Sequence, residues 1–130
     1  MKRRSVRAGV PLLAVLAACG SDAANTRFPV PGEHGPRVTV EVLNATAVDG
    51  LARRLTERLR RGGLDVVYFG SAAAPVDSTR IVIRRGDSSA AVRVRETLGT
   101  GRIVDDPDPR LLLDVTVLLG PDAARLDRDP

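Results

Sequence analysis

The chain has 130 residues, a length typical of one domain, and only 2% of them are aromatic, so a core must be built from aliphatic side chains. The formal net charge of +4 comes from four residues near the N-terminus, Lys2, Arg3, Arg4 and Arg7, whereas the remaining 16 of the 20 basic residues balance 16 acidic ones. We therefore expect no nucleic-acid partner, which would need a basic domain, and the single cysteine excludes an intramolecular disulfide.

Residues 1–18 have the organisation of an export signal that is removed from the mature protein. A positively charged start is followed by an apolar stretch over residues 8–18 that ends in small side chains. As a helix, this stretch would rise only about 16 Å, against roughly 30 Å for the hydrocarbon core of a bilayer. The pattern thus predicts a signal peptide rather than a permanent membrane span.

The end of this segment, Leu16-Ala17-Ala18-Cys19, resembles the lipobox of bacterial lipoproteins at every position. The resemblance implies cleavage before Cys19, attachment of diacylglycerol to its sulfur, and acyl chains such as palmitate that hold the protein at a membrane. Two or more chains anchor stably because each buried CH₂ contributes about 0.8 kcal/mol. The alternative is an ordinary secretory signal followed by an unrelated cysteine. Gly20 follows the cysteine, at a position where an Asp would resemble a signal that retains lipoproteins in the inner membrane. The absence of Asp here favours the outer membrane in a cell that has two membranes.

Residues 19–36 are predicted to be the lipidated cysteine and a flexible tether. Glycine, proline and small polar residues dominate here, and neither helical nor strand periodicity survives. The part after Cys19 reaches about 55 Å when fully stretched, with a typical span of roughly 20–25 Å, so the domain is expected to work near its membrane. His34, the single histidine, lies in this tether and is interpreted as a solvated residue rather than a catalytic one.

Residues 37–120 are predicted to form one domain with the order β-α-β-β-α-β-β. A period-two strand opens the domain with Val38, Val40 and Val42. An amphipathic helix that stops at two glycines follows, and its apolar stripe comprises Val48, Leu51, Ala52, Leu55 and Leu59. Strands over residues 64–69 and 79–84, a second helix between Asp87 and Gly99, a short strand over 102–104 and a last strand over 111–119 complete the order.

This order predicts an α/β fold of α+β type, in which a single mixed β-sheet carries two helices packed on one face. Residues 121–130 are predicted to be a polar tail that frays from the domain.

Two groups of residues are candidate binding sites. The turn before the first helix joins a strand end to a helix N-terminus, which are positions that favour ligands and anions, and it comprises Asn44, Thr46, Asp49 and Gly50. The polar face of that helix carries arginines suited to anionic lipid headgroups or an acidic wall polymer, namely Arg53, Arg54, Arg58, Arg60 and Arg61. The alternative is an ordinary solvated arginine face.

The sequence indicates no catalytic or metal site. No nucleophile has a plausible base, and no cluster of histidine and cysteine is suited to zinc. Asp105, Asp106 and Asp108 form an acidic segment, but prolines interrupt it and its spacing differs from that of a calcium loop, so we interpret it as a turn. We therefore predict neither an enzymatic activity nor a cofactor.

Four separated segments resemble the LytR C-terminal domain, which accompanies the LytR/CpsA/Psr cell-envelope proteins. One is the region from Val82 to Asp87, a predicted strand followed by R-x-G-D before a helix. The other three are V-E-V-L-N-A-T-A-V-D-G-L-A from Val40, G-L-D-V from Gly63, and D-V-T-V-L-L-G from Asp114. The resemblance covers roughly residues 37–120 and implies an accessory domain of the envelope. Ala45 and Ala47 stand where the family has glycines, so a left-handed backbone there would require a local change. The catalytic domain of those proteins, which joins glycopolymers to the wall, has no counterpart in this sequence, so its activity is not implied.

The sequence thus predicts a non-enzymatic lipoprotein that is held at a membrane outside the cytoplasm by the lipid on Cys19. Its domain is expected to contact a wall polymer or an envelope protein. The alternative is a structural or assembly lipoprotein that pairs with itself or joins a membrane complex.

Overall fold

The computed structural model describes residue 9, residues 28–33 and residues 35–129. The described residues do not include Cys19, His34 or residues 20–27 of the predicted tether. Of the predicted signal peptide they include only Gly9. Of the helices that the structure describes, none is long and apolar enough to cross a bilayer.

The described domain contains five strands and three helices. The strands are β1 (Thr39–Asn44), β2 (Asp65–Ser71), β3 (Arg80–Ile83), β4 (Arg102–Asp105) and β5 (Val115–Leu119). The helices are α1 (Leu51–Arg61), α2 (Ser89–Leu98) and α3 (Pro121–Leu126). The chain order is β1-α1-β2-β3-α2-β4-β5-α3, so the predicted order is confirmed as far as β5, and α3 adds a third helix.

The five strands form one mixed sheet in the order β2-β1-β5-β3-β4. β1 pairs in parallel with both β2 and β5, and β3 pairs in parallel with β4, whereas β3 and β5 run antiparallel. α1 packs on β1 and β2, α2 packs on β3 and β4, and the two helices contact each other, so they cover the same face. The predicted mixed sheet with two helices on one face is confirmed.

The core lies between this face and the helices. Val42, Val117 and Ile81 occupy paired positions on the three central strands and are fully buried. They lie together because residues directly opposite each other on neighbouring strands point to the same face of the sheet. The helices cover them with aliphatic side chains, namely Leu51, Leu55 and Leu59 of α1 and Ala91, Val94 and Leu98 of α2. The predicted stripe of α1 is therefore its buried face.

α1 ends where the sequence predicts it. Gly63 adopts a left-handed φ of 81°, and the N–H of Leu64 donates to the carbonyl of Leu59 over 3.2 Å. This pattern is a helix-terminating turn that a glycine adopts without steric cost. It leads the chain directly into β2, alongside β1.

The prediction that residues 121–130 form a frayed polar tail is wrong for its first part. α3 begins at Pro121, a residue suited to the first helical position, and it buries Ala123 and Ala124 against the core. Two small alanines form no apolar stripe, so the periodicity of the sequence does not reveal this helix. The turn before it requires Gly120, because a Cβ there would lie 2.5 Å from the carbonyl carbon of Ser78.

The last strand also begins later than predicted, at Val115 rather than at residue 111. Residues 106–114 precede it without strand structure, and Asp108 fixes part of this segment by accepting hydrogen bonds from the N–H and the guanidinium of Arg110. Leu112, in the same segment, is 83% exposed. The apolar residues 111–113 therefore lengthen the strand that the sequence predicts, although they do not belong to β5.

Candidate binding surfaces

The predicted Asn44 turn lies at the carboxyl end of β1. Asn44 Oδ1 accepts hydrogen bonds from the N–H and the hydroxyl of Thr46, at 3.0 and 2.7 Å, and Asn44 Nδ2 donates to the carbonyl of Val48 at 2.8 Å. The Thr46 hydroxyl in turn accepts a hydrogen bond from the N–H of Val48 at 3.2 Å. The polar side-chain atoms of Asn44 and Thr46 therefore brace the turn.

Asp49 and Gly50 connect this turn to α1. Gly50 has a left-handed φ of 73°, and no side chain caps the first N–H groups of the helix. Arg54 Nη1 donates to the carbonyl of Asp49 over 3.1 Å, and a Cβ on Gly50 would lie 2.8 Å from that nitrogen. Glycine is thus needed for the backbone conformation, whereas the contact with the end of the flexible Arg54 side chain could be relieved by a shift of that side chain. Ala45 and Ala47 need no glycine, since no described residue other than glycine has a positive φ.

A shallow depression of about 310 Å³ opens beside the turn. Residues 44–47 and 71–75 line it, and five of these nine residues are alanines. No ionisable side chain lines it among the described residues, and no three acidic, histidine or cysteine side chains in this part of the chain converge to hold a metal ion. The depression suits a small neutral polar group such as a sugar hydroxyl.

Two of the five predicted contact arginines have partners on other parts of the domain. Arg54 Nε lies 2.7 Å from Asp127 Oδ2, which joins α1 to the segment after α3. Arg60 Nη2 donates to the carbonyl of Val66 in β2 over 2.9 Å. These two guanidinium groups therefore already have protein partners, and they contribute less to an exposed positive surface than the sequence alone predicts.

The other three arginines are more available to a ligand. Arg61 lies 3.8 Å from Glu57, a distance at which an exposed ion pair contributes little. Arg53 and Arg58 are exposed and form no ion pair with any residue that the structure describes. The positive face of α1 is thus carried by Arg53, Arg58 and Arg61.

Part of the predicted tether lies on the domain. Phe28, Pro29 and Pro31 line a pocket of about 230 Å³ together with Arg60 and Leu64, at the C-terminal end of α1. The chain then runs into the amino end of β1. The tether therefore meets the domain at the end of the sheet opposite to the Asn44 turn.

Asp114 has a structural role that the sequence alone does not indicate. Its Oδ2 accepts hydrogen bonds from the N–H and the hydroxyl of Thr39, at 2.9 and 3.0 Å, and its Oδ1 accepts one from Arg85 at 3.2 Å. Burial alone would raise the pKa of Asp114, but these hydrogen bonds outweigh it and hold the pKa below its ordinary value. Asp114 thereby fixes the start of β5 to the start of β1.

Asp122 has a similar role at the other end of β5. Its Oδ1 accepts hydrogen bonds from the N–H and the hydroxyl of Thr79, at 2.8 and 2.9 Å, and its Oδ2 accepts one from the hydroxyl of Thr100 at 2.7 Å. Burial opposes ionisation here too, yet the hydrogen bonds lower the pKa of Asp122 overall. The sequence around Asp114 and Asp122 does not identify these partners, because Thr39 and Thr79 lie 75 and 43 positions away.

Comparisons with known proteins agree with this architecture. A family model for the LytR C-terminal domain, described as LytR cell envelope-related transcriptional attenuator, matches residues 37–122. The fold is similar to that of the soluble domain of a conserved hypothetical secreted protein, an Rv2700 ortholog, from Mycobacterium marinum. That similarity has 22% identity and a TM-score of 0.51, and it covers 78% of this chain and 70% of that one. No curated protein shows significant similarity to the chain.

Proposed function

Because the chain belongs to the LytR C-terminal family, we propose that it is a lipid-anchored accessory protein of the cell envelope, which binds a wall polymer or an envelope protein without catalysing a reaction. The family match over residues 37–122 carries this proposal, since this domain accompanies envelope proteins as an accessory module. Export and anchoring are supported by the signal-like residues 1–18 and by the lipobox that ends at Cys19. We place the protein outside the cytoplasm, at the outer membrane where a cell has two.

The two ends of the sheet would then face different surroundings. Eight residues, 20–27, separate Cys19 from Phe28, and they span at most about 30 Å. The end of the domain where Phe28 packs therefore stays near the bilayer. The Asn44 turn lies at the far end of β1, roughly 17 Å further along the strand, and it would point away from the membrane toward the wall.

The arginines of α1 divide between these two ends. The helix rises about 12 Å between Arg53 and Arg61, so Arg58 and Arg61 lie toward the tether and Arg53 lies toward the Asn44 turn. We assign Arg58 and Arg61 to anionic lipid headgroups, which attract basic side chains close to a membrane. We assign Arg53 to an acidic group of a wall polymer whose sugar hydroxyls occupy the depression beside the turn.

The anchor is tested by mass spectrometry of the mature N-terminus. We expect lipid mass on Cys19 in the wild type, and a released or unprocessed chain in Cys19→Ala. Ser21→Ala is the matched control, because it changes a small residue beside the cleavage site and should leave lipidation intact. An unacylated, freely soluble mature chain in the wild type would refute the anchor.

Polymer binding is tested by co-sedimentation of the chain with purified peptidoglycan that retains its wall polymer. Ala73→Trp places a large ring in the depression at an exposed position and should lower the bound fraction several-fold. Leu112→Trp is the control, because Leu112 is exposed on a different segment and should bind as the wild type does. Arg53→Gln should also weaken binding, whereas Arg95→Gln, which removes an exposed arginine from α2, should not. Failure of the wild type to sediment would count against a polymer ligand.

A further inference from the structure

Edge strand β2 carries an unusual run of exposed apolar side chains. β2 is one of the two edges of the sheet, and its residues Val67, Tyr68 and Phe69 are 51%, 56% and 41% exposed. Tyr68 lies opposite Glu41 and Phe69 opposite Val42, so the two rings project from opposite faces. An edge strand with this composition is a template for pairing with another strand.

The other edge is protected in the way expected of a monomer. β4 begins with Arg102 and ends with Asp105, and Asp106 and Pro107 follow directly. Charges and prolines at an edge oppose the addition of another strand. β2 has neither from Val66 to Ser71. It does contain a bulge, between the pairs of Val40 and Glu41, but the stretch from Tyr68 to Ser71 pairs regularly with β1.

The exposed side chains of β2 are also partly fixed in place. A Cβ on Gly70 would lie 2.7 Å from the hydroxyl of Tyr68, so the Tyr68 ring lies along the strand toward its C-terminal end, over the glycine. At the start of β2, Arg60 already donates a hydrogen bond to the carbonyl of Val66, which a partner strand would otherwise use. The apolar edge that a partner strand would meet therefore extends from Val67 to Ser71.

We infer that β2 pairs with β2 of a second copy of this chain, antiparallel and about a two-fold axis. The charges of this edge permit such a pairing, because Asp65, the only carboxylate of the strand, is already ion-paired with Arg37, and no charged residue lies between Val66 and Ser71. Two identical edges therefore meet without like-charge repulsion, and a two-fold axis places the strands antiparallel, with each Asp65 toward the Ser71 end of the other copy. A highly polar wall polymer would not complement Val67, Tyr68 and Phe69. An interface of one strand is small, so we expect a dimer with a dissociation constant of roughly micromolar order.

The test is sedimentation velocity on the full chain in mild detergent, over a range of concentrations. We expect a monomer–dimer equilibrium, which Phe69→Lys and Val67→Lys each weaken at least tenfold by placing charges on the edge. Leu112→Lys, at a more exposed apolar position outside the sheet, should leave the equilibrium unchanged. Circular dichroism would establish that each variant is folded. A monomer at all concentrations, or a dimer that both edge variants retain, would overturn the inference.

Photo-crosslinking identifies the occupant directly. With a benzophenone amino acid at position 68, irradiation in membranes should give a covalent dimer of the chain, and the same label at position 112 should not. A crosslink to a different protein, or within one chain to its own N-terminal residues, would also overturn the inference. Because β2 and not the lipid holds the dimer, Cys19→Ala should dimerise as the wild type does, so this result is independent of the proposed anchor.

Discussion

At the scale of single residues, Asp114 and Asp122 fasten the two ends of β5 to the rest of the sheet. Each carboxylate receives both the N–H and the hydroxyl of a threonine at or next to the start of another strand, Thr39 for Asp114 and Thr79 for Asp122. Thr79 is fully buried, and its hydroxyl also accepts a hydrogen bond from the N–H of Gly120. Removing Asp122 would therefore leave donors of the buried Thr79 without this partner, and removing Asp114 would do the same to the half-buried Thr39.

The first prediction concerns Asp122→Ala, which removes the acceptor of three hydrogen bonds. We expect the free energy of unfolding in urea to fall by about 1–3 kcal/mol, because an unsatisfied buried donor loses its solvation without compensation. Asp129→Ala removes an exposed carboxylate near the end of the chain and should change stability by less than about 0.5 kcal/mol. Equal stabilities of the two variants would show that the Thr79 and Thr100 contacts do not support the fold.

The second prediction is the pH dependence of stability. Since the pKa values of Asp114 and Asp122 are lowered in the folded state, the unfolded chain binds protons first as the pH falls. Their stabilisation is complete above the unfolded-state pKa of about 3.9, and it is lost as the pH falls through the lower pKa of the folded state. We expect their share of the unfolding free energy to stay constant between about pH 7 and 5 and to fall below about pH 4. Urea unfolding of an Asp114→Asn, Asp122→Asn double variant should show a smaller loss over this range than the wild type, and an equal loss would contradict the assignment.

At the scale of elements, predictability follows the strength of the hydrophobic pattern. The alternating valines of β1 and the leucine stripe of α1 each bury one face, so their period identifies them from the sequence. α3 buries only Ala123 and Ala124, and its attachment depends on Asp122, whose partners are remote in sequence. The strand order could not be predicted either, because neighbours such as β1 and β5 are about 75 residues apart.

The third prediction tests whether α3 belongs to the domain. Ala123→Glu places a carboxylate at a position that is 1% exposed, and we expect a loss of about 3 kcal/mol or more in the free energy of unfolding. Arg125→Glu changes an exposed residue of the same helix and should have a much smaller effect. Thermal unfolding followed by circular dichroism compares the two variants. If Ala123→Glu leaves the free energy of unfolding unchanged, this segment is a frayed tail and not part of the domain.

At the scale of the whole molecule, the sequence identified candidate positions better than it identified their surroundings. The Asn44 turn was predicted from a strand end and a helix start, and it lies there, but its amide is used within the turn. The five arginines all lie on α1, yet Arg54 is ion-paired with Asp127, just after α3, and Arg60 donates to the carbonyl of Val66 in β2. Local periodicity specifies the face of a helix, whereas the groups that neutralise it depend on tertiary packing.

The last prediction is the orientation of the domain at its membrane. The tether meets the C-terminal end of α1, and the few residues between Cys19 and Phe28 limit how far that end can move from the bilayer. A fluorescent amino acid at position 61 should therefore be quenched more strongly by a quencher in lipid headgroups than the same label at position 73, beside the Asn44 turn. Both positions are exposed, so the labels should not disturb the core. In the released form of the Cys19→Ala chain both labels should escape quenching, and equal or reversed quenching in the lipidated chain would show that the turn does not face away from the membrane.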